Sequence, residues 1–240
     1  MPALAQLTPA KAGAVVTTPH VRAELVAHAP DGVAPGAPVW VGLQIAHQPE
    51  WHTYWKNAGD SGLPTELSWT LPPGVAAGDI AWPVPKKIPV GNLANYGYEN
   101  TVLLPVPLEV ASTFKPPLAL TGAGGPAELQ VRLKASWLVC RKECIPEEGE
   151  FSLALPVQGS TALHKAEFDA AQAAQPAQLA APGAIEVQGN NLQVRLEGLP
   201  AAAQGKTLAF FPETPEVIRT AAVSGKDWTC LLYTSPSPRD

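Results

Sequence analysis

Charge is scarce in this sequence: 15% of its 240 residues are Asp, Glu, Lys or Arg, and the formal net charge is −5 with a pI near 5.5. No basic stripe is available to neutralise a phosphate backbone, so nucleic acid is not an expected partner. Long apolar runs are missing too. Nothing approaches the roughly 20 apolar residues that a membrane-crossing helix needs, so no direct membrane contact is expected of this stretch. No internal repeat or long low-complexity tract stands out. Cysteine is rare, with three in the chain. What is plentiful is hydrophobic residues (46%), proline (27) and glycine (20), a balance that favours many short strands joined by turns over long helices.

The two ends read differently from the middle. MPALAQLTPAKAGAVV has neither a basic n-region nor an apolar h-region, yet Ala3-Leu4-Ala5 before Gln6 resembles the small-x-small end of a secretory signal. Residues 1–19 are therefore expected to be a disordered leader remnant of an exported protein. The last residues, 230–240, CLLYTSPSPRD, read codon by codon as the translation of a transposon sequencing adapter. That removes Cys230 from the count, leaves Cys140 and Cys144 as an even pair, and implies natural sequence continuing past Thr229.

Between the ends, Val21, Ala23, Leu25 and Ala27 alternate with Arg22, Glu24 and His28, and Val39, Val41, Leu43 and Ile45 alternate with Trp40, Gly42 and Gln44. Both patterns have the two-residue period of half-buried strands. Further strands are expected at Glu66 to Thr70, Thr101 to Val110, Glu128 to Val139 and Gly149 to Val157, separated by turns such as Leu71-Pro72-Pro73-Gly74 and Gly122 to Pro126. The predicted fold class is all-β, an immunoglobulin-like sandwich over residues 20–158. Residues 159–182 are read as a linker with a short helix over Thr161 to Ala174, ended by Pro176 and Pro182. Residues 183–229, with strands at Ile185 to Val187, Leu192 to Leu196 and Lys206 to Phe211, are read as an incomplete second β domain.

The chemistry candidate is WLVCRKECIPEEGEF. Leu129, Val131, Leu133, Ala135, Trp137 and Val139 share one strand face, so Cys140 points the other way with Gln130, Arg132, Lys134 and Ser136, which places its sulfur on the wetter side. Three residues separate the cysteines and Pro146 stiffens the exit. A disulfide closing so short a loop gives little entropic stabilisation and is easier to reduce than a structural one, which suits electron exchange. Arg141 and Lys142 favour a Cys140 thiolate, while Glu143, Glu147 and Glu148 oppose ionisation nearer Cys144. Charge alone therefore nominates Cys140 as nucleophile. Two other readings stay open: a structural staple in an exported binding domain, and a copper(I) site, since C-x-x-x-C before proline supplies soft thiolates and His20, His28, His47, His52 or His164 could add a ligand. The cluster WHTYWKN at 51–57, with exposed-looking His52 and Lys56, is read chiefly as a core edge or corner of the sandwich.

Three stretches together resemble one family. GLQIAHQPEWHTYWKNAGDSGLPTELSW at 42–69, WPVPKKIPVGNLANYGYENTVLLPVPL at 82–108 and KASWLVCRKECIPEEGEFSL at 134–153 look like the N-terminal domain of DsbD-type thiol:disulfide interchange proteins, including the branch linked to suppression of copper sensitivity. The resemblance implies a periplasmic protein-disulfide reductase module without a cofactor. Electrons would come from a membrane segment and a thioredoxin-like domain of the same full-length protein. They would pass through Cys140 and Cys144 to periplasmic thioredoxin-fold proteins, such as disulfide isomerases and cytochrome c maturation factors. It also implies a cap loop over the pair at Leu93, Asn95, Tyr96 and Gly97, with Leu93 and Tyr96 over the sulfurs, acting as a gate. The pair's immediate environment is Arg141, Lys142, Glu143 and Pro146. Two features depart from the best-known members: three residues between the cysteines where those have five, and no acidic residue at Asn92 to Asn95. The copper-linked branch fits the short spacing better, and the family's attacking sulfur matches Cys144.

Overall fold

The computed structural model describes residues 12–116, 127–179, 183–203, 206, 208–227 and 229. Most of the expected leader, the turn at Gly122 to Pro126 and the adapter-like tail lie outside the described residues.

Alternation of apolar and polar residues sorts the chain into two antiparallel sheets. The first runs β1 (Val15–Thr17), β2 (Val21–His28), β3 (Val39–His47), β9 (Thr101–Val110) and β6 (Val75–Ala77) in that spatial order. The second runs β11 (Cys144–Pro156), β10 (Glu128–Cys140), β4 (His52–Gly59), β8 (Leu93–Glu99) and β7 (Lys86–Val90), with β5 (Glu66–Thr70) also paired to β10. Their inner faces meet in one core. Val21, Leu25, Val41 and Leu43 come from the first sheet, and Leu129, Val131, Leu133 and Trp137 from the second. Each such side chain, fully buried, contributes roughly 1.5–3 kcal/mol, so the sandwich is held by this layer. The all-β sandwich expected from the sequence is the fold observed.

Strands Glu66–Thr70 and Thr101–Val110 have the expected ends. The cysteine region is more regular than expected, because β11 begins at Cys144, five residues before Gly149. Three corrections concern elements the pattern did not show. WHTYWKN is mostly strand β4, and the supposed cap loop is strand β8, joined to β7 by the two-residue turn Gly91-Asn92. Gly91 adopts φ +61°, the left-handed geometry that such a tight turn needs. The described residues of Lys206 to Phe211 do not form a strand.

Downstream, helix α1 (Lys165–Ala173) docks on the first sheet by setting Phe168 and Ala171 against Val26, Leu103 and Trp40. The hairpin β12 (Ala184–Gln188) and β13 (Asn191–Arg195) leaves Ile185 and Val187 exposed. Residues 208–222 instead return to the second sheet. Phe211 packs edge-on to Trp55 and Tyr96, Asn57 Nδ2 donates to the Pro212 carbonyl at 2.8 Å, and Lys56 pairs with Glu213 at 2.5 Å.

Candidate functional site

The cysteine pair closes the tip of a long hairpin. β10 and β11 pair without interruption from Glu128 opposite Pro156 to Cys140 opposite Cys144, and the two sulfurs are bonded. Arg141, Lys142 and Glu143 form the turn, where the Arg141 N–H donates to the Glu143 carbonyl at 3.1 Å. The sulfur environments differ. Cys144 is exposed, whereas Cys140 is 3% exposed. This corrects the expectation that Cys140 lies on the wetter side. Strand parity does turn it away from Val139, but the outer face is itself closed at this point, where His52 and Tyr54 are also buried.

The cover is built from β4 and the segment that follows it. His52 is the direct cross-strand partner of Cys140 on the side opposite β11. Trp51, Trp55, Tyr96 and Tyr98 belong to the core between the sheets, so alternation puts His52, Tyr54 and Asn95 on the outer face with Cys140. Tyr54 is fully buried, and its hydroxyl donates to Cys144 Sγ at 3.4 Å. Burial pushes its pKa up to about 12, so the phenol keeps its proton and remains a donor. Gly62 lies flat against the ring: at φ +102°, an added Cβ would fall 2.2 Å from Tyr54 Cε1. Only glycine fits there.

Hydrogen bonds hold that segment down. The Asp60 N–H donates to the Ala94 carbonyl at 3.0 Å, the Ala94 N–H donates to Asp60 Oδ2 at 2.8 Å, and Ser61 Oγ donates to Asn95 Oδ1 at 3.0 Å. Asn95 Nδ2 then approaches His52 Nε2 at 3.5 Å, and the His52 ring meets Tyr54 edge-on at 5.2 Å. His52 is 2% exposed, so its exposed appearance in the sequence is corrected; Lys56 is exposed, with its ammonium 5.5 Å from the Trp55 ring centre. Burial lowers the His52 pKa, with Glu99 acting in the opposite direction.

The four residues expected to cap the pair divide between the two faces. Asn95 reaches the outer network, and Gly97 is the register partner of Tyr54. Leu93, at the start of β8, is 42% exposed. Tyr96 is corrected outright: it is 1% exposed, its ring faces Trp55 and Phe211 in the core, and its hydroxyl bonds to the Thr220 side chain, so it does not cover the sulfurs. The aromatic at the disulfide is Tyr54, which sequence reasoning had assigned to the core edge. The alternation of Trp51, Thr53 and Trp55 against His52 and Tyr54 was the available signal.

The charge argument for Cys140 also changes. Arg141 turns away to Glu50 at 3.1 Å and stacks over Trp51 at 5.4 Å. Glu147 is occupied by His20 Nδ1 at 2.7 Å, Thr18 Oγ1 at 2.7 Å and Trp137 Nε1 at 3.1 Å, which pins β11 just beyond Pro146. Lys142, Glu143 and Pro146 are exposed around Cys144. Among the described residues, no group of three or more His, Cys, Asp or Glu side chains is placed to hold a metal ion.

A β-sandwich that carries a disulfide at a hairpin tip, with Cys144 exposed and Cys140 buried, is a class of fold distinct from thioredoxin. Residues 22–156 match the family described as thiol:disulfide interchange protein DsbD, N-terminal, and the chain belongs to that family. Among solved structures, the chain is similar to the crystal structure of the N-terminal periplasmic domain of ScsB from Proteus mirabilis. The two share 21% identity with a TM-score of 0.52, over 75% of this chain and 66% of that one, a likeness of fold. Comparison with curated protein sequences finds no significant match.

Proposed function

We propose that residues 20–158 are a periplasmic electron relay, the terminal protein-disulfide reductase module of a larger inner-membrane protein. The observation that carries this is the asymmetry of the pair: a disulfide with one sulfur open to a partner and the other sheltered behind it. In-line attack then has one productive target. A partner thiolate attacks Cys144 Sγ, the bond to Cys140 breaks, and its electron pair leaves on Cys140 Sγ, which takes up a proton. The partner's second thiol attacks its own sulfur in the mixed disulfide, releasing Cys144 as a thiolate. The partner ends oxidised and the pair reduced by two electrons.

Run in reverse, Cys144 attacks a downstream disulfide and Cys140 resolves the adduct. The thioredoxin-like domain and membrane segment of the full-length protein supply the electrons, and periplasmic thioredoxin-fold proteins take them. Solvent access thus makes Cys144 the attacking sulfur, as in the family, in place of Cys140. Loop 60–63, rather than Tyr96, is the gate. Residues 159–182 are a linker whose helix α1 docks on the first sheet, and of residues 183–229 the hairpin at 184–195 belongs to a second β region while 208–222 pack on the second sheet.

The test is a trap. Cys140→Ser, which leaves Cys144 as the reachable thiol, is expected to accumulate a mixed disulfide with a thioredoxin-fold partner, and Cys144→Ser is expected to trap far less. Should neither variant trap any partner, and the wild-type disulfide resist dithiothreitol in the folded state, the pair is a structural staple and the relay is wrong.

A further inference from the structure

We infer that His52, its ring fixed by Asn95 and Ser61, is the hydrogen-bond donor that stabilises the Cys140 thiolate when the pair opens. This rests on the exchange function proposed above. Every opening of the disulfide at Cys144 puts the departing electron pair on Cys140, and that sulfur is nearly sealed from water. A buried thiolate without a donor is costly and a poor leaving group.

The Tyr54 hydroxyl is already engaged with Cys144 Sγ, and the fold sets a second donor opposite Cys140. His52 and Cys140 are directly opposed across β4 and β10. Directly opposed residues of an antiparallel pair project from the same face with Cβ atoms roughly 4.5–5.5 Å apart.

The orientation of the ring follows from a chain of donors. Ser61 Oγ donates to Asn95 Oδ1 at 3.0 Å, which commits the amide Nδ2 to His52 Nε2 at 3.5 Å. A nitrogen faced by an N–H is an acceptor, so the ring proton of neutral His52 resides on Nδ1. Asn95 is 1% exposed, so water does not compete for this arrangement.

The titratable groups around His52 are Cys140 on β10, Tyr54 on its own strand, Glu99 opposite it on β8 and His47 at the end of β3. Burial holds both histidines toward the neutral form, and His47 is lowered to about 4. His52 therefore donates as a neutral imidazole. In the step that opens the bond, the electron pair passes to Cys140 Sγ, which accepts a hydrogen bond from His52 Nδ1–H ahead of its own protonation, with no change in the proton count of His52.

The test titrates the ultraviolet thiolate absorbance of Cys140 in the full chain carrying Cys144→Ser and Cys230→Ser, so that one thiol remains. His52→Leu is expected to raise the Cys140 pKa by about one to two pH units, the size of a lost charge-assisted hydrogen bond. His52→Asn, whose amide N–H replaces Nδ1–H, is expected to restore most of the difference. Identical titrations for the parent and His52→Leu overturn the inference, as does a His52→Asn protein that titrates like His52→Leu. If His52→Leu does not fold, the ring nitrogen chemical shifts of the unsubstituted chain decide: the Nδ1–H tautomer supports the assignment and the Nε2–H tautomer overturns it. These readouts are independent of partner trapping, so a failed relay and a failed donor assignment give different results.

Discussion

On the inner face of the layer formed by β4, β8 and β10, Trp55, Tyr98, Trp137 and Val139 interlock with the opposite sheet; on its outer face the same strands present His52, Tyr54, Asn95 and Cys140. Both faces are buried here, yet they are buried by different means. The inner one is closed by apolar packing between sheets. The outer one is closed by a short polar loop that hydrogen-bonds to β8 and lays Gly62 on the Tyr54 ring. A core of the first kind resists any rearrangement, because its close-packed side chains have nowhere to go. A cover held by three hydrogen bonds is far cheaper to lift, since each contributes about 1 kcal/mol net. Stability and reactivity are thereby assigned to opposite sides of one sheet.

The sharpest way to break this division is at the core. Trp137→Ala is expected to cost about 3–5 kcal/mol in denaturant unfolding, while the disulfide of the protein that remains folded is reduced at the parent rate. A reduction rate that changed in step with stability would show that the faces are not separate. Tyr54→Phe probes the other side and is expected to cost only about 1 kcal/mol of stability. It should slow attack of the reduced pair on a model disulfide by about tenfold, because Cys144 loses a donor to its thiolate.

The smallest effect is on pH. Folded His47 holds a proton less tightly than an ordinary histidine, with a pKa lowered from 6.5 to about 4 by burial, and His52 is shifted in the same direction. The unfolded chain therefore takes up the extra protons as pH falls through 6.5. Stability is full above that value and is lost between 6.5 and about 4, by about 1 kcal/mol for His47 given its partial exposure. Denaturation midpoints across that range check the sign.

The sequence showed the sandwich because apolar alternation is a direct imprint of a half-buried strand, as in Leu129 through Val139. It showed the pair because Cys140 and Cys144 are so close in sequence that a bond between them needs no knowledge of the fold. It did not show that Cys140 is covered. Parity says which way a side chain points, but whether that side is wet depends on what lies over it, and at Cys140 the outer face is closed beside the buried His52 and Tyr54 of β4, more than eighty positions earlier. For the same reason His52 looked exposed and Tyr54 looked structural. β8 was read as a loop because Gly91, Asn92, Asn95 and Gly97 are poor strand formers. Gly97 is nevertheless required, since an added Cβ would fall 2.1 Å from the Thr53 carbonyl oxygen.

The uninterrupted β10–β11 ladder has one more consequence. The two cysteines form its last rung, and the pairing that aligns them continues to Glu128 and Pro156, far from the sulfurs. Cleaving the covalent bond therefore does not release the strands, and the thiols remain neighbours. In the proposed exchange the resolving sulfur would therefore face a mixed disulfide at a very high effective molarity, a partner would be held only briefly, and throughput would be set by encounter rather than by intramolecular closure.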